Sequence, residues 1–195
     1  MGRAIPNFTM KNPIIVDDDI SLQPPSDRLA AAVFGIVDTQ REYLREWLPW
    51  VDKTTSVNYI RTFLRESSLF NRGGQRLTTF IFYQRQLVGS ISFVRINKEH
   101  QRGEVGYWLH RDFQGRGIIT RSCAAIIDYG FRQLNLQRVE IRILVGNDRS
   151  RKIPGRVGCQ HEGRLRRQVK LYNDFYDVDL FAIIRPDWER QRWVS

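Results

Sequence analysis

Apolar and polar positions divide the chain into a helical part before residue 76 and a strand-rich part after it. An opening strand or strand pair is predicted at 13–23. Apolar residues then recur at helical spacing in three segments, which are 26–38, 39–50 and 56–70. Ser26 is a suitable N-cap for the first helix, Pro49 is expected to stop the second, and the glycines of the segment NRGG end the third.

From residue 76 the pattern is that of β-rich runs separated by short polar turns. Strands are predicted at 76–83, 86–96, 103–110, 138–146, 161–172 and 175–184. Helices are predicted at 116–134 and 148–158. The strand–helix–strand segment at 104–146 is long enough for a parallel crossover. We therefore predict the α+β class, with a mixed, mostly antiparallel sheet, one central parallel pair and helices on both faces.

The 195 residues and the ordinary globular composition indicate a single domain. We expect a flexible N-terminal extension at 1–10 and one domain at 11–190. No apolar run approaches the roughly 18 residues of a membrane span, and the N-terminus lacks a signal-sequence pattern, so a cytoplasmic location is expected. Cys123 and Cys159 form neither a disulfide framework nor a metal-binding spacing, so no metal is expected.

The net charge of +10 points to an anionic ligand. Nucleic acid, a phosphorylated cofactor and an acidic protein all satisfy this charge. A basic but otherwise indifferent surface is the alternative, and the charge alone does not decide between them.

A glycine-containing turn, HRDFQGRGIITR at 110–121, lies between a predicted strand and a predicted helix. Gly115 and Gly117 leave the backbone open, and Arg116 adds a positive charge where the helix begins. Such a turn can bind a phosphate through free N–H groups and the helix dipole, although it can equally be only a tight turn. Thr120 replaces the last glycine of a dinucleotide-binding fingerprint, and no Walker A pattern is present.

Three separated segments carry a further signal, and they are GYWLHRDF, QGRGII and NDRSRKIPGRVGC. Together they resemble the GCN5-related N-acetyltransferase (GNAT) family, and within it the RimJ/RimL branch of protein N-terminal acetyltransferases. Gln114 and Gly117 match the family signature [QR]-x-x-G-x-[GA], whereas Ile119 departs from its last position. The segment REWLPWVD at 45–52 resembles the substrate-side helices of the branch.

The resemblance implies an acetyl-CoA-dependent enzyme that acetylates a primary amine. It also implies that the strands at 104–109 and 138–146 splay apart and receive the pantetheine arm between them. The residues expected to bind the cofactor are Trp108, Leu109, Gln114, Gly115, Arg116, Gly117, Ile118, Ile119, Thr120 and Asn147.

For catalysis, the resemblance assigns Ser150 to the thioester sulfur, because Pro154 stands where many members carry a tyrosine. The alternative role of Ser150 is that of a helix cap. Glu104 is the candidate general base, and a solvated strand-end carboxylate is its alternative. The strand that carries a glutamate in some RimL-type enzymes has none here, and Asp177 and Asp179 are the remaining candidates.

Basic residues of the last part of the chain are expected to form a positive rim. They are Arg151, Lys152, Arg156, Arg164, Arg166 and Lys170. Such a rim favours an acidic acceptor, for example the N-terminal α-amine of an acidic ribosomal protein, unless these residues only bind the 3′-phosphate of CoA or solvent. The alternatives are a small-molecule or antibiotic-modifying acetyltransferase and a non-catalytic RNA-binding module. Homodimers are common in the resembled branch.

Overall fold

The computed structural model describes residue 10 and residues 12–190. Its strands are β1 Ile14–Ile15, β2 Ile20–Gln23, β3 Leu77–Tyr83, β4 Gln86–Asn97, β5 Arg102–Leu109, β6 Arg138–Leu144, β7 Gln160–Leu171 and β8 Asp174–Ile184. Its α-helices are α1 Ala30–Thr39, α2 Arg41–Arg45, α3 Val57–Gly73, α4 Ile118–Arg132, α5 Asp148–Arg156 and α6 Arg185–Arg190. Short 3-10 helices span Asp27–Leu29, Pro49–Lys53 and Arg111–Phe113.

All eight strands form one sheet in the order β1-β2-β3-β4-β5-β6-β8-β7. Among the pairings of the described strands, β5 with β6 is parallel and the others are antiparallel. The helix α4 connects the two parallel strands, as a crossover requires. The predicted mixed sheet with one central parallel pair is confirmed.

Helices cover both faces of this sheet, because central strands such as β3 and β4 are buried on both sides. One buried cluster joins α4 to residues such as Ile91, Val105 and Ile141. The other joins α1 and α3 to residues of the opposite face, such as Phe80. Met10 is buried in the first cluster, while the rest of the predicted N-terminal extension, 1–9, lies outside the described residues.

Two local predictions were wrong. The second helix ends at Arg45, before Pro49, and Pro49 begins a 3-10 helix. A residue that precedes a proline disfavours helical backbone angles. Leu48, which precedes Pro49, accordingly has φ −129° and ψ 89°. Proline fits the first turn of a helix because its missing N–H would have no partner there. The helix α6 was not predicted.

The parallel pair is complete for only half of its length. Pairing of β5 with β6 runs from Arg102↔Arg138 to Val105↔Ile141. Beyond that point β5 continues to Leu109 and β6 to Leu144, each paired only with its outer neighbour. The splay implied by the family resemblance is therefore present, and it opens a gap in the middle of the sheet.

Candidate active site

A cavity of about 730 Å³ fills this gap. Its walls come from the unpaired ends of β5 and β6, the glycine turn with the start of α4, the first turns of α5, and α2 with the segment that follows it. The predicted residues that line it are Trp108, Leu109, Gln114, Gly115, Gly117, Ile118, Ile119, Thr120, Asn147 and Ser150. Arg116 and Glu104 are not among the lining residues.

The glycine turn presents backbone to the cavity. Gly115 and Gly117 have φ of 76° and 71°, in the left-handed region that favours glycine. Gly117 is the N-cap of α4, and because it has no side chain, the first N–H groups of the helix receive no side-chain cap. These uncapped N–H groups, together with the helix dipole, form a site suited to a phosphate. Arg116 lies beside this site, with its guanidinium 5.2 Å from the centre of the Phe113 ring.

A chain of hydrogen bonds links three walls of the cavity through the glycine turn. Arg149 of α5 donates to the side-chain oxygen of Gln114, and the amide nitrogen of Gln114 donates to the hydroxyl of Tyr43 in α2. Burial raises the pKa of Tyr43 despite the nearby Arg149 charge. Gln114, the first residue of the family signature, therefore also fixes the positions of α2 and α5 relative to the turn.

The start of α5 is fixed from two directions. Asn147 is its N-cap, and its Oδ1 accepts a hydrogen bond from the Ser150 N–H at 3.2 Å. The hydroxyl of Tyr107 in β5 donates to the Ser150 carbonyl at 3.3 Å. Both Tyr107 and Ser150 line the cavity. The capping role is thus taken by Asn147, which leaves Ser150 as a cavity-facing residue of the first turn.

The cavity is positively charged. Arg142, Arg149, Lys152 and Arg156 line it, and among the described lining residues there is no aspartate or glutamate. This charge suits a phosphorylated ligand and any further anionic group that enters beside it.

Glu104 lies on the same strand face as Trp108, at the closed end of the splay. It pairs in register with Glu140 of β6, and its Oε2 is 3.8 Å from the Nε of Arg142. Arg142 also donates to Glu140 at 3.1 Å. Burial opposes ionisation of Glu140, but hydrogen bonds from Arg138 and Arg142 outweigh it and lower the pKa. Arg142 therefore lies between Glu104 and the cavity, since it contacts this carboxylate and lines the cavity. The role of Glu104 as general base remains a prediction.

Asp179 is not suited to act as a base. Its side chain is 1% exposed and accepts hydrogen bonds from Arg164 and Arg151 at 2.9 and 2.8 Å. The bond from Arg164, followed by that from Arg151, holds the pKa of Asp179 well below its usual range. The same contacts correct the predicted positive rim, because Arg151 and Arg164 are paired with this carboxylate. Asp177 accepts a bond from the Arg167 N–H.

Two residues of the site, Tyr107 and Arg149, were not predicted from the sequence. Alternation along β5 places Tyr107 on the face opposite Trp108, but nothing in the sequence connects it with Ser150, 43 residues away. Arg149 also lines the cavity; it lies in the segment NDRSRKIPGRVGC, but nothing in the sequence connects it with Gln114. Tyr43 and Trp47 line the cavity as well, and both belong to the aromatic segment 43–50, whose pattern is typical either of an acceptor cleft or of the core.

The residues present fit acetyl-CoA. The uncapped start of α4 and the glycine turn suit its pyrophosphate, the cationic side chains suit its charge, and the splayed strands leave unpaired backbone for the pantetheine amides. Within residues 10 and 12–190, no group of three or more His, Cys, Asp or Glu side chains is arranged to hold a metal. In the same part of the chain, no helix is long and apolar enough to cross a membrane.

Comparison with known proteins agrees with this geometry. The family model described as an acetyltransferase (GNAT) domain matches residues 19–160. The ribosomal-protein-serine acetyltransferase of Escherichia coli (strain K12) is 29% identical over 176 residues, which cover 90% of this chain and 98% of that one.

Two solved structures align with nearly the whole described fold. RimL, a ribosomal L7/L12 alpha-N-protein acetyltransferase in complex with coenzyme A, has a TM-score of 0.86 and 26% identity over 89% of this chain and 98% of that one. The microcin C7 self immunity acetyltransferase MccE, in complex with acetyl-CoA and AMP, has a TM-score of 0.86 and 25% identity over 90% of this chain and 98% of that one.

Proposed function

The chain belongs to the GNAT family of acetyltransferases, and on that premise we propose that its acceptor is the N-terminal α-amine of a protein with acidic residues near that end. The enzyme is an acetyl-CoA-dependent N-acetyltransferase. The observation that carries the choice of acceptor is the cavity lined by four cationic side chains and, among its described residues, by no carboxylate.

The chain's own residues supply the parts that acetyl transfer needs. The glycine turn and the start of α4 bind the pyrophosphate, which positions the thioester in the gap between β5 and β6. Unpaired backbone N–H groups near Trp108 and Leu109 polarise the thioester carbonyl. The hydroxyl of Ser150 donates a hydrogen bond to the sulfur as it leaves as a thiolate.

An α-amine suits a cavity without a carboxylate base. Its ordinary pKa is about 7.7–8.0, against about 10.4 for lysine, so roughly a third of α-amines are already neutral at pH 7.5. Nearby cations lower the pKa of a bound amine further. Glu104, connected to the cavity through Arg142, then needs to accept a proton only through water.

The same charge discriminates between acceptors. A polyamine or an aminoglycoside would bring several positive charges towards Arg142, Arg149, Lys152 and Arg156, whereas an acidic peptide would be attracted. The relative named for ribosomal-protein serine and the RimL structure support the proposal. RNA binding without turnover has no such support, because the chain is an acetyltransferase.

A small anionic amine is the second candidate acceptor. The observation in its favour is the pair of indole side chains, Trp47 and Trp108, that line the cavity and could stack on an aromatic base. The MccE structure, which contains AMP, makes this candidate worth testing.

A panel of acceptors tests the proposal. Release of CoA is measured with an acidic decapeptide that begins with serine, with its neutral counterpart, and with an acidic peptide whose α-amine is blocked but which contains one lysine. Spermidine and an AMP derivative with a primary amine complete the panel. The acidic peptide with the unblocked α-amine should have a kcat/KM at least about tenfold above that of the lysine peptide and of spermidine.

The outcomes separate the candidates. Fastest turnover of the AMP derivative selects the small anionic amine, and fastest turnover of spermidine or the lysine peptide contradicts both. Calorimetric titration with acetyl-CoA, which does not depend on the acceptor, is the control that the preparation is competent.

A further inference from the structure

Pro154 removes one main-chain hydrogen bond from α5. In a regular helix the N–H of residue 154 would donate to the carbonyl four residues earlier, which is that of Ser150. Proline has no N–H and cannot make this bond. Pro154 lies within the helix and is buried, so the Ser150 carbonyl lacks its usual partner from the next turn of α5.

Another side chain reaches the carbonyl that Pro154 cannot serve. The hydroxyl of Tyr107 donates to the Ser150 carbonyl at 3.3 Å, across the gap between β5 and α5. The tyrosine belongs to the part of β5 that no longer pairs with β6, and it lines the cavity beside Ser150. A bond from the strand thus stands in for a bond within the helix.

We propose that Tyr107 is a positioning residue for acetyl transfer, whose hydroxyl replaces the missing N–H of residue 154 and holds Ser150 in place against the thioester sulfur. This inference rests on the role proposed above for Ser150. Asn147 fixes the N–H of Ser150 and Tyr107 fixes its carbonyl, so both main-chain groups of the residue are anchored. The backbone that carries the serine hydroxyl is therefore held in place.

Tyr107 acts as a fixed donor and not as a source of protons. Its single hydroxyl proton is directed to the carbonyl of Ser150. Burial, followed by the neighbouring Cys123, raises the pKa of Tyr107 well above its usual value, so the hydroxyl stays protonated while a thiolate leaves. Its loss should therefore lower turnover through misplacement of Ser150.

The test is a double-mutant cycle between residues 107 and 154. Tyr107→Phe should lower kcat about five- to twentyfold with KM for acetyl-CoA changed less than about twofold, because one hydrogen bond to the transferring site is lost. Pro154→Ala restores a backbone N–H for the Ser150 carbonyl. In that background Tyr107→Phe should lower kcat by less than about twofold.

Tyr83→Phe is the matched control, because Tyr83 is a partly buried tyrosine on β3 that does not line the cavity. The fastest acceptor of the panel is used throughout, so a wrong choice of acceptor does not affect the cycle. Ser150→Ala with unchanged kcat would refute the role of Ser150 on which the inference rests. A reduced kcat in Ser150→Ala, together with a Tyr107→Phe variant that behaves like Tyr83→Phe, would refute the inference alone.

Thermal unfolding and CoA binding are measured for every variant. If Tyr107→Phe alone does not fold, the pair Pro154→Ala and Pro154→Ala/Tyr107→Phe still decides the question. Equal kcat in these two supports the replacement of the N–H by the hydroxyl. A loss of kcat of about five- to twentyfold on removing the hydroxyl in the Pro154→Ala background overturns it.

Discussion

Backbone conformation at single residues determines how the site presents its donors. Gly117 adopts a left-handed φ of 71° as the residue before α4, and a Cβ at this position would meet only the Nε of Arg121, at 3.9 Å. The protein itself therefore leaves room for a side chain there. The need for glycine comes from the φ angle and from the approach of a ligand to the helix N-terminus.

The charge requirement at this residue can be separated from the steric one. Gly117→Asn and Gly117→Asp introduce side chains of nearly equal size that both tolerate a left-handed φ. Only the aspartate repels the pyrophosphate, so it should weaken acetyl-CoA binding at least about tenfold more than asparagine does. Calorimetric titration checks this, and equal affinities of the two variants would show that the pyrophosphate lies elsewhere.

Among the elements, the hairpin of β7 and β8 supports α5 through an ion cluster around the buried carboxylate of Asp179. Asp179 of β8 receives Arg151 from α5 and Arg164 from β7, and His161 lies 3.4 Å away. At its other end the hairpin reaches α2, where the hydroxyl of Tyr172 donates to the Arg45 carbonyl at 2.8 Å. The helix that carries Ser150 is thus braced by β7 and β8, the two strands at one edge of the sheet.

The pH dependence of stability should show this cluster. Arg164 and Arg151 lower the pKa of Asp179 in the folded protein. The ionised Asp179 therefore stabilises the fold fully at a pH above the ordinary aspartate pKa, and this stabilisation is lost as the pH falls towards the lowered pKa of the folded protein. Asp179→Asn should cost about 1–2 kcal/mol of unfolding free energy at pH 7, with partial solvent screening of the arginines. The difference in unfolding free energy between Asp179→Asn and wild type should decrease below about pH 4.

Urea unfolding at a series of pH values measures that difference. Asp174→Asn, at the exposed start of the same strand, is the matched control and should change stability little at any pH. A loss in Asp179→Asn that does not depend on pH would mean that the carboxylate acts by packing and not by charge.

At the scale of the whole molecule, the chain has a net charge of +10, and its cavity is also cationic. Long-range attraction should therefore raise the encounter rate with an acidic acceptor. Raising ionic strength from about 0.05 to 0.5 M shortens the Debye length from about 14 to about 4 Å. It should lower kcat/KM for the acidic peptide several-fold and change it less than about twofold for the neutral peptide.

Lys152→Gln should flatten the salt dependence for the acidic peptide, because Lys152 lies at the cavity and is exposed. Steady-state rates over a salt series test this. The same decline for acidic and neutral peptides would assign the effect to acetyl-CoA binding and remove the argument for an acidic acceptor.

The fold was largely predictable because its signals are local. Strand runs and the glycines that end α3 each act within a few residues, and the family motifs marked the glycine turn, Asn147 and Ser150. Ser26 caps the 3-10 helix Asp27–Leu29 and not α1, which begins at Ala30. What could not be predicted depends on partners distant in sequence. The pairing of Asp179 with Arg151 and the contact of Tyr107 with Ser150 arise only when strands and helices meet.

The substitution of a strand hydroxyl for a helix N–H has a consequence for how this site changes during evolution. Positions 107 and 154 should not be independent, since with a proline at 154 the Ser150 carbonyl receives its hydrogen bond from the side chain at 107. A lineage that replaces the proline first can then lose the tyrosine with little effect on turnover, whereas the reverse order passes through an enzyme with lowered turnover. The two positions should therefore covary among relatives, and the order of their changes should be one-directional.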